Sequence, residues 1–217
     1  MNGNHAFDPT FNHVVAACRT LPEPGFHRIF PDHPRTKAAA TLIPIVDLDG
    51  RAAVVLTQRA GTLDHGGDWV FPGGRLDGDE LHVDAARRET AEELGIELEH
   101  IDVIGQISTW GPIVTGYVIE TYIGVIASGT EFAPDQSEVV DVTVIPIAEL
   151  LRPERSMRAP HHTGVMRHSE KFAELGHQPV IGDLRHYIVR GEEYLWGMQA
   201  DMLHEFLTHV TAGAHNF

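Results

Sequence analysis

The chain has 217 residues, a formal net charge of −15, 42% hydrophobic and 22% charged residues. At roughly 150 residues per domain this is the length of one elaborated domain, and the composition is that of an ordinary globular chain able to bury a full core. So acidic a chain repels a nucleic-acid polymer, and no apolar run reaches membrane length, so neither a nucleic-acid nor a membrane partner is expected.

Residues 1–37 read as an irregular N-terminal segment, interrupted by Pro22, Pro24, Pro31 and Pro34, with a short helix around 9–20. They contain no basic stretch followed by an apolar one, and the only cysteine is Cys18. A cytoplasmic location is the expectation from both. Residues 38–217 read as a single domain. Ala38–Val46 and Arg51–Gln58 form strands around the turn Asp47-Leu-Asp-Gly50, a hairpin. A glycine-containing loop, 59–68, leads to a short buried strand at Trp69–Phe71. His82–Leu94 has the composition and periodicity of a helix, and Gly95 is placed to stop it. Strands are expected at 101–109, 113–127 and 139–146, then a short helix at Ile147–Leu151. Residues 152–183, rich in proline and histidine, read as a long loop with one helix near 164–175. A hairpin around Gly191 (185–189 with 193–196) and an amphipathic helix over 197–210 complete the chain. Strands mixed with few helices indicate an α/β or α+β sandwich rather than a regular doubly wound sheet.

The chemistry is concentrated in Phe71–Ile96, FPGGRLDGDELHVDAARRETAEELGI. Glu89, Glu92 and Glu93 stand at i, i+3 and i+4, one face of a helix. Three like charges so close need an opposing charge, and a hard divalent cation such as Mg²⁺ or Mn²⁺ prefers carboxylate oxygen and bridges to phosphates. Arg88 can hold a neighbouring carboxylate, with Glu80 as its candidate partner. Gly73-Gly74 allows a tight turn and a close approach of backbone to ligand or metal. A solvated acidic helix is the bland alternative for the glutamates alone.

The spacing around them resembles the Nudix box, G-x5-E-x7-R-E-U-x-E-E-x-G-U with U aliphatic. Gly74, Glu80, Arg88, Glu89, Glu92, Glu93 and Gly95 occupy its fixed positions, and Thr90 stands at one aliphatic position. The resemblance implies an α/β/α sandwich with a mixed central sheet, a Mg²⁺ or Mn²⁺ cofactor, and attack of metal-activated water on a nucleoside diphosphate linked to another moiety. It implies Glu89, Glu92 and Glu93 as metal ligands assisted by the Gly73 carbonyl, Arg88 as the residue that orients a glutamate, and Gly74 at the substrate. A further glutamate outside the box often serves as ligand or base in the family; Glu138 is the candidate, an exposed loop acid being the alternative.

Outside the box, Leu56-Thr-Gln-Arg59, Leu63, His65, Gly67 and Trp196-Gly-Met-Gln-Ala200 resemble the coenzyme A diphosphatase branch, with one residue fewer between Arg59 and His65 and with Asp68 in place of a glutamine. Arg59 is then expected at a substrate phosphate, a surface arginine at a strand end being the alternative, and His65 is a candidate substrate contact, with a histidine that structures the loop as the stronger alternative. Trp69, Trp110 and Trp196 are read as core rather than as adenine platforms. His161, His162, His168 and His177 match no ligand spacing and are read as solvated rather than as a second metal site. The substrate expectation is coenzyme A or an acyl derivative. ADP-ribose, a dinucleotide or a nucleoside triphosphate is the alternative, and a non-enzymatic ligand-sensing Nudix domain stands as a third reading. A homodimer is left open.

Overall fold

In a computed structural model, residues 9–30, 37–61, 65–113, 115–159 and 183–212 are described. The hairpin expected near the start of the domain forms the centre of the sheet. Strand β2 (Lys37–Leu48) pairs antiparallel with β3 (Arg51–Arg59) across a turn in which Gly50 donates its N–H to Asp47 Oδ1 at 2.6 Å. Strands β1 (Phe26–His27), β6 (Ile101–Trp110) and β7 (Tyr117–Ile126) lie to one side of β2, giving the order β1-β6-β7-β2-β3-β4, with β4 at Trp69–Val70. Strand β5 (Gly73–Arg75) pairs with β2, and β8 (Val139–Pro146) with β3. The sheet is mixed: β1 with β6 and β2 with β7 run parallel, the other pairs antiparallel.

The faces of this sheet follow from strand alternation. On β2 and β3, Ala40, Leu42 and Val55 point one way, toward helix α2 (His82–Leu94), whose Ala85, Ala86 and Leu94 they meet. Ile43, Ile45, Val54 and Leu56 point the other way and form the main core with α1 (Phe11–Cys18) and α4 (Gly197–Ala212). The result is helix, sheet, helix: an α/β/α sandwich. Each large core side chain, Phe206 or Trp69 for example, contributes about 1.5–3 kcal/mol by leaving water. A three-stranded sheet, β9 (Ser156–Ala159), β10 (Leu184–Arg190) and β11 (Glu193–Trp196), precedes α4, and the short helix α3 is Ile147–Leu150.

Four expectations require correction. The N-terminal segment is not wholly irregular: besides α1, β1 joins the sheet beside the end of β6, and Val14 and Cys18 sit in the main core. Residues 152–183 do not begin as a loop, since Pro153–Arg155 makes a 3-10 turn and β9 pairs antiparallel with β10. The strand expected over 113–127 starts only at Tyr117, because Gly116 takes a positive φ of 83° and Gly116 N–H closes a turn onto Ile113 O. Gly73-Gly74 does not turn; it is extended and paired to β2. The expected helix near 164–175 and the histidines at 161, 162, 168 and 177 lie outside the described residues. No described helix is long and apolar enough to cross a membrane.

Candidate functional site

Helix α2 carries the carboxylates because of how it is anchored. Its small residues Ala85 and Ala86 let it lie close on β2, and it ends where Gly95 adopts the left-handed conformation, φ 63°. Its N–H bonds back to Glu92 O at 3.2 Å, the left-handed helix stop that glycine favours. A side chain there would also meet Ala133 O at 1.9 Å.

Arg88 is the hub of one half of the site. Its Nε and Nη2 donate to the two oxygens of Glu80, both at 3.0 Å, a two-pronged pair that fits guanidinium geometry. Its Nη1 donates to Glu89 Oε1 at 2.9 Å and Glu92 Oε2 at 3.2 Å, and Nη2 also to Arg75 O at 3.0 Å. Arg88 therefore holds the loop before α2 and two of the helix carboxylates at once. The hydrogen bonds from Arg88 keep the Glu80 carboxyl below the usual range, whereas burial pushes that of Glu89 up against the pull of Arg88.

Glu93 belongs to the other half. It is 8% exposed, accepts a hydrogen bond from Thr57 Oγ1 at 3.3 Å, and lies 4.0 Å from Arg59 Nη1. Burial raises its pKa to about 7; Arg59 and Thr57 oppose the rise, while the charges of Glu89 and Glu138 add to it. A carboxylate so placed is stabilised by any further positive charge. Glu138 is exposed at the start of β8, and its carbonyl accepts from Ala60 N–H at 2.8 Å, which joins the end of β3 to that loop.

The two glycines bring backbone to this group. A Cβ on Gly73 would lie 2.5 Å from Ala40 O, and one on Gly74 2.2 Å from the Glu89 carboxyl carbon. Only the missing side chain at 74 lets the Glu89 carboxylate rest against the β5 backbone. The donor set fits a hard divalent cation: carboxylates of one helix beside the β5 backbone, in a protein of charge −15. Among the described residues no three His, Cys, Asp or Glu side chains already converge in ligand geometry. Arg88 draws Glu89 and Glu92 together, and Glu93 is turned to β3.

A cleft of about 520 Å³ opens beside the glycines. Arg59, His65, Asp68, Gly73 and Gly74 line it together with Trp196, Gly197, Met198 and Gln199, and Ile29, Phe30, Trp110, Ile113 and Ile119 give it an apolar end. The C-terminal elements fix this wall. Gln199 Oε1 accepts from Phe71 N–H at 3.1 Å, Trp69 Nε1 donates to Glu193 Oε2 at 3.0 Å, and His65 Nδ1 lies 3.3 Å from Asp68 Oδ2. The tryptophans divide: Trp69 is buried, while Trp196 and Trp110 show edges to the cleft, and His27 stacks on Trp110 at 4.1 Å.

Sequence reasoning thus located Arg88, Glu89, Glu92, Glu93, Gly73, Gly74, Arg59 and His65 in one region, and missed Thr57 and Gln199. Thr57 had a signal, a polar residue directly after the apolar run Ala52–Leu56 and within the Leu56–Arg59 segment. Gln199 stands in the Trp196–Ala200 segment, but nothing local marked its contact with Phe71 N–H, 128 positions away.

Comparison with known proteins agrees with this geometry. The model of the NUDIX domain matches residues 35–168. The chain is 31% identical over 195 residues to an uncharacterized Nudix hydrolase, NudL, of Klebsiella pneumoniae, covering 88% of this chain and 89% of that one. It is 28% identical over 193 residues to Nudix hydrolase 3 of Caenorhabditis elegans, covering 87% and 80%. A MutT/nudix family protein from Enterococcus faecalis, 16% identical, shares the fold with a TM-score of 0.52 over 85% of this chain and 65% of that one. The chain belongs to the Nudix family. It is a Nudix hydrolase, acting on nucleoside diphosphate-linked substrates, in a family whose hydrolases generally use divalent metal ions.

Proposed function

We propose that the chain cleaves the diphosphate of coenzyme A or an acyl-coenzyme A with Mg²⁺ or Mn²⁺, releasing 4′-phosphopantetheine, bearing any acyl group, and adenosine 3′,5′-bisphosphate. The observation that carries this reading is the cleft. Arg59, His65 and Trp196-Gly197, which the box does not require, line one cavity with Gly73 and Gly74 of the box.

The roles follow from position. Glu89, Glu92, Glu93 and the Gly73 carbonyl would hold the cation, which supplies charge to offset the diphosphate and activates water for attack. Arg88 positions Glu89 and Glu92 and ties them to Glu80. Arg59, close to Glu93 at the cleft wall, offers a charge-assisted contact to a phosphate oxygen. Glu138 adds negative charge near Glu93, the side from which a base would take the proton of attacking water. His65, set by Asp68, faces the substrate. The intact set of box carboxylates favours an enzyme over a ligand sensor.

A substrate panel scored by product mass tests the proposal, comparing kcat/KM under one set of conditions. Coenzyme A or a short acyl derivative should exceed ADP-ribose. Coenzyme A left intact while ADP-ribose, NADH or a nucleoside triphosphate turns over would overturn it.

A further inference from the structure

At the rim of the cleft two cations share one aromatic ring. Lys37 Nζ lies 5.0 Å and Arg75 Cζ 5.5 Å from the centroid of Tyr117. Three strands meet there: Lys37 opposes Tyr117 in the β2–β7 register, and Arg75 opposes Ala39 in the β2–β5 register. Residues two apart on a strand share a face. Lys37 therefore lies on the face of Ala39, and Tyr117 on that of Ile119. Ala39 and Ile119 line the cleft, so Lys37, Arg75 and Tyr117 continue its wall outward.

Neither cation forms an ion pair among the described residues, in a protein whose formal charge is −15. Arg59 and Arg88, by contrast, face carboxylates. Two basic side chains kept on an aromatic ring and clear of acids make a local positive patch in an otherwise repelling field. Lys37 stands three residues along β2 from Ala40, the partner of Gly74, a separation of about 10 Å. The patch is thus offset along the strand from Gly73 and Gly74 of the cleft by a span on the scale of one ribose and its substituents.

We propose that Lys37 and Arg75, braced by Tyr117, form a second anion subsite. It reads a phosphate monoester carried on the nucleotide side of the substrate, apart from the diphosphate that is cut. This rests on the coenzyme A reading and assigns these residues to its 3′-phosphate. They determine specificity rather than take part in the chemistry.

The test compares kcat/KM for coenzyme A and 3′-dephospho-coenzyme A on the full chain and on Lys37→Gln and Arg75→Gln. Both side chains are exposed, so the variants should keep the wild-type melting temperature. The full chain should prefer coenzyme A, and each variant should lose about tenfold of that preference while its rate on the dephospho substrate stays unchanged, the size expected for one charge-assisted contact. A ratio unchanged in both variants, with coenzyme A still cleaved, overturns the subsite and leaves the coenzyme A reading standing. Equal loss on both substrates also overturns it, because the residues would then serve the site as a whole. No cleavage of either compound by the full chain, with another diphosphate turned over, overturns the coenzyme A reading and the subsite with it.

Discussion

At the scale of single residues, the site depends on what is missing as much as on what is present. The Glu89 carboxylate occupies the space that a side chain at Gly74 would fill. Gly74→Ala should displace that carboxylate, the far end of a flexible side chain, with little strain on the sheet. The expected result is a loss of kcat on the order of 10²-fold, the scale of a disturbed metal ligand, at a melting temperature close to wild type. Unchanged kcat would remove Glu89 from the site. Cys18 gives a second residue-level test. Burial among the main core, beside Val14, raises its thiol from 9.0 to about 12. A group whose folded pKa is raised contributes stability that is complete below its unfolded pKa and is lost as pH rises through the folded one. The window is therefore about 9 to 12, and within the folded protein the thiol stays protonated up to pH 9.0 and inert. Alkylation should be slow at neutral pH and should not accelerate toward that value; rapid labelling of native protein would show that the α1 contact opens.

Elements position these residues, and α2 is fixed at its C-terminal end by Gly95. Gly95 holds a left-handed conformation that other residues reach at a cost, and Ala133 O closes the space above it. Gly95→Ala should therefore lower stability by about 1–3 kcal/mol, read from the urea midpoint, with a loss of activity because the last turn carries Glu92 and Glu93. A midpoint equal to wild type would mean that the helix end can rearrange freely. Elements of this kind were legible in the sequence, because their signals are local. The alternation of β2 and β3, the alanines and charges of α2, the stop at Gly95 and the C-terminal amphipathic helix all declare themselves within a few residues. Elements defined by distant pairing did not. β1 and β9 are two and four residues long, lie between prolines and exist through β6 and β10. β5 was read as a turn because two glycines signal flexibility, whereas here they admit Ala40 O and the Glu89 carboxylate at close range. Within the site, the i, i+3, i+4 spacing foretold a shared helix face. It did not foretell that Arg88 would gather Glu89 and Glu92 while Glu93, one residue on, turns to Thr57 and Arg59 on β3.

For the whole molecule, the sandwich brings two remote parts of the chain to one cleft. Arg59, His65, Asp68, Gly73 and Gly74 line one wall of it, and residues 196–199 close it through Gln199 on Phe71 N–H. The wider charge, −15, opposes an anionic substrate, so the account requires a cation at the α2 carboxylates for both binding and bond cleavage. The most direct measurement is turnover of the best substrate after exhaustive chelation, followed by titration with Mg²⁺ or Mn²⁺. Turnover should vanish in chelator and recover, saturating, with added metal; full turnover in metal-free buffer would contradict a cation at the α2 carboxylates.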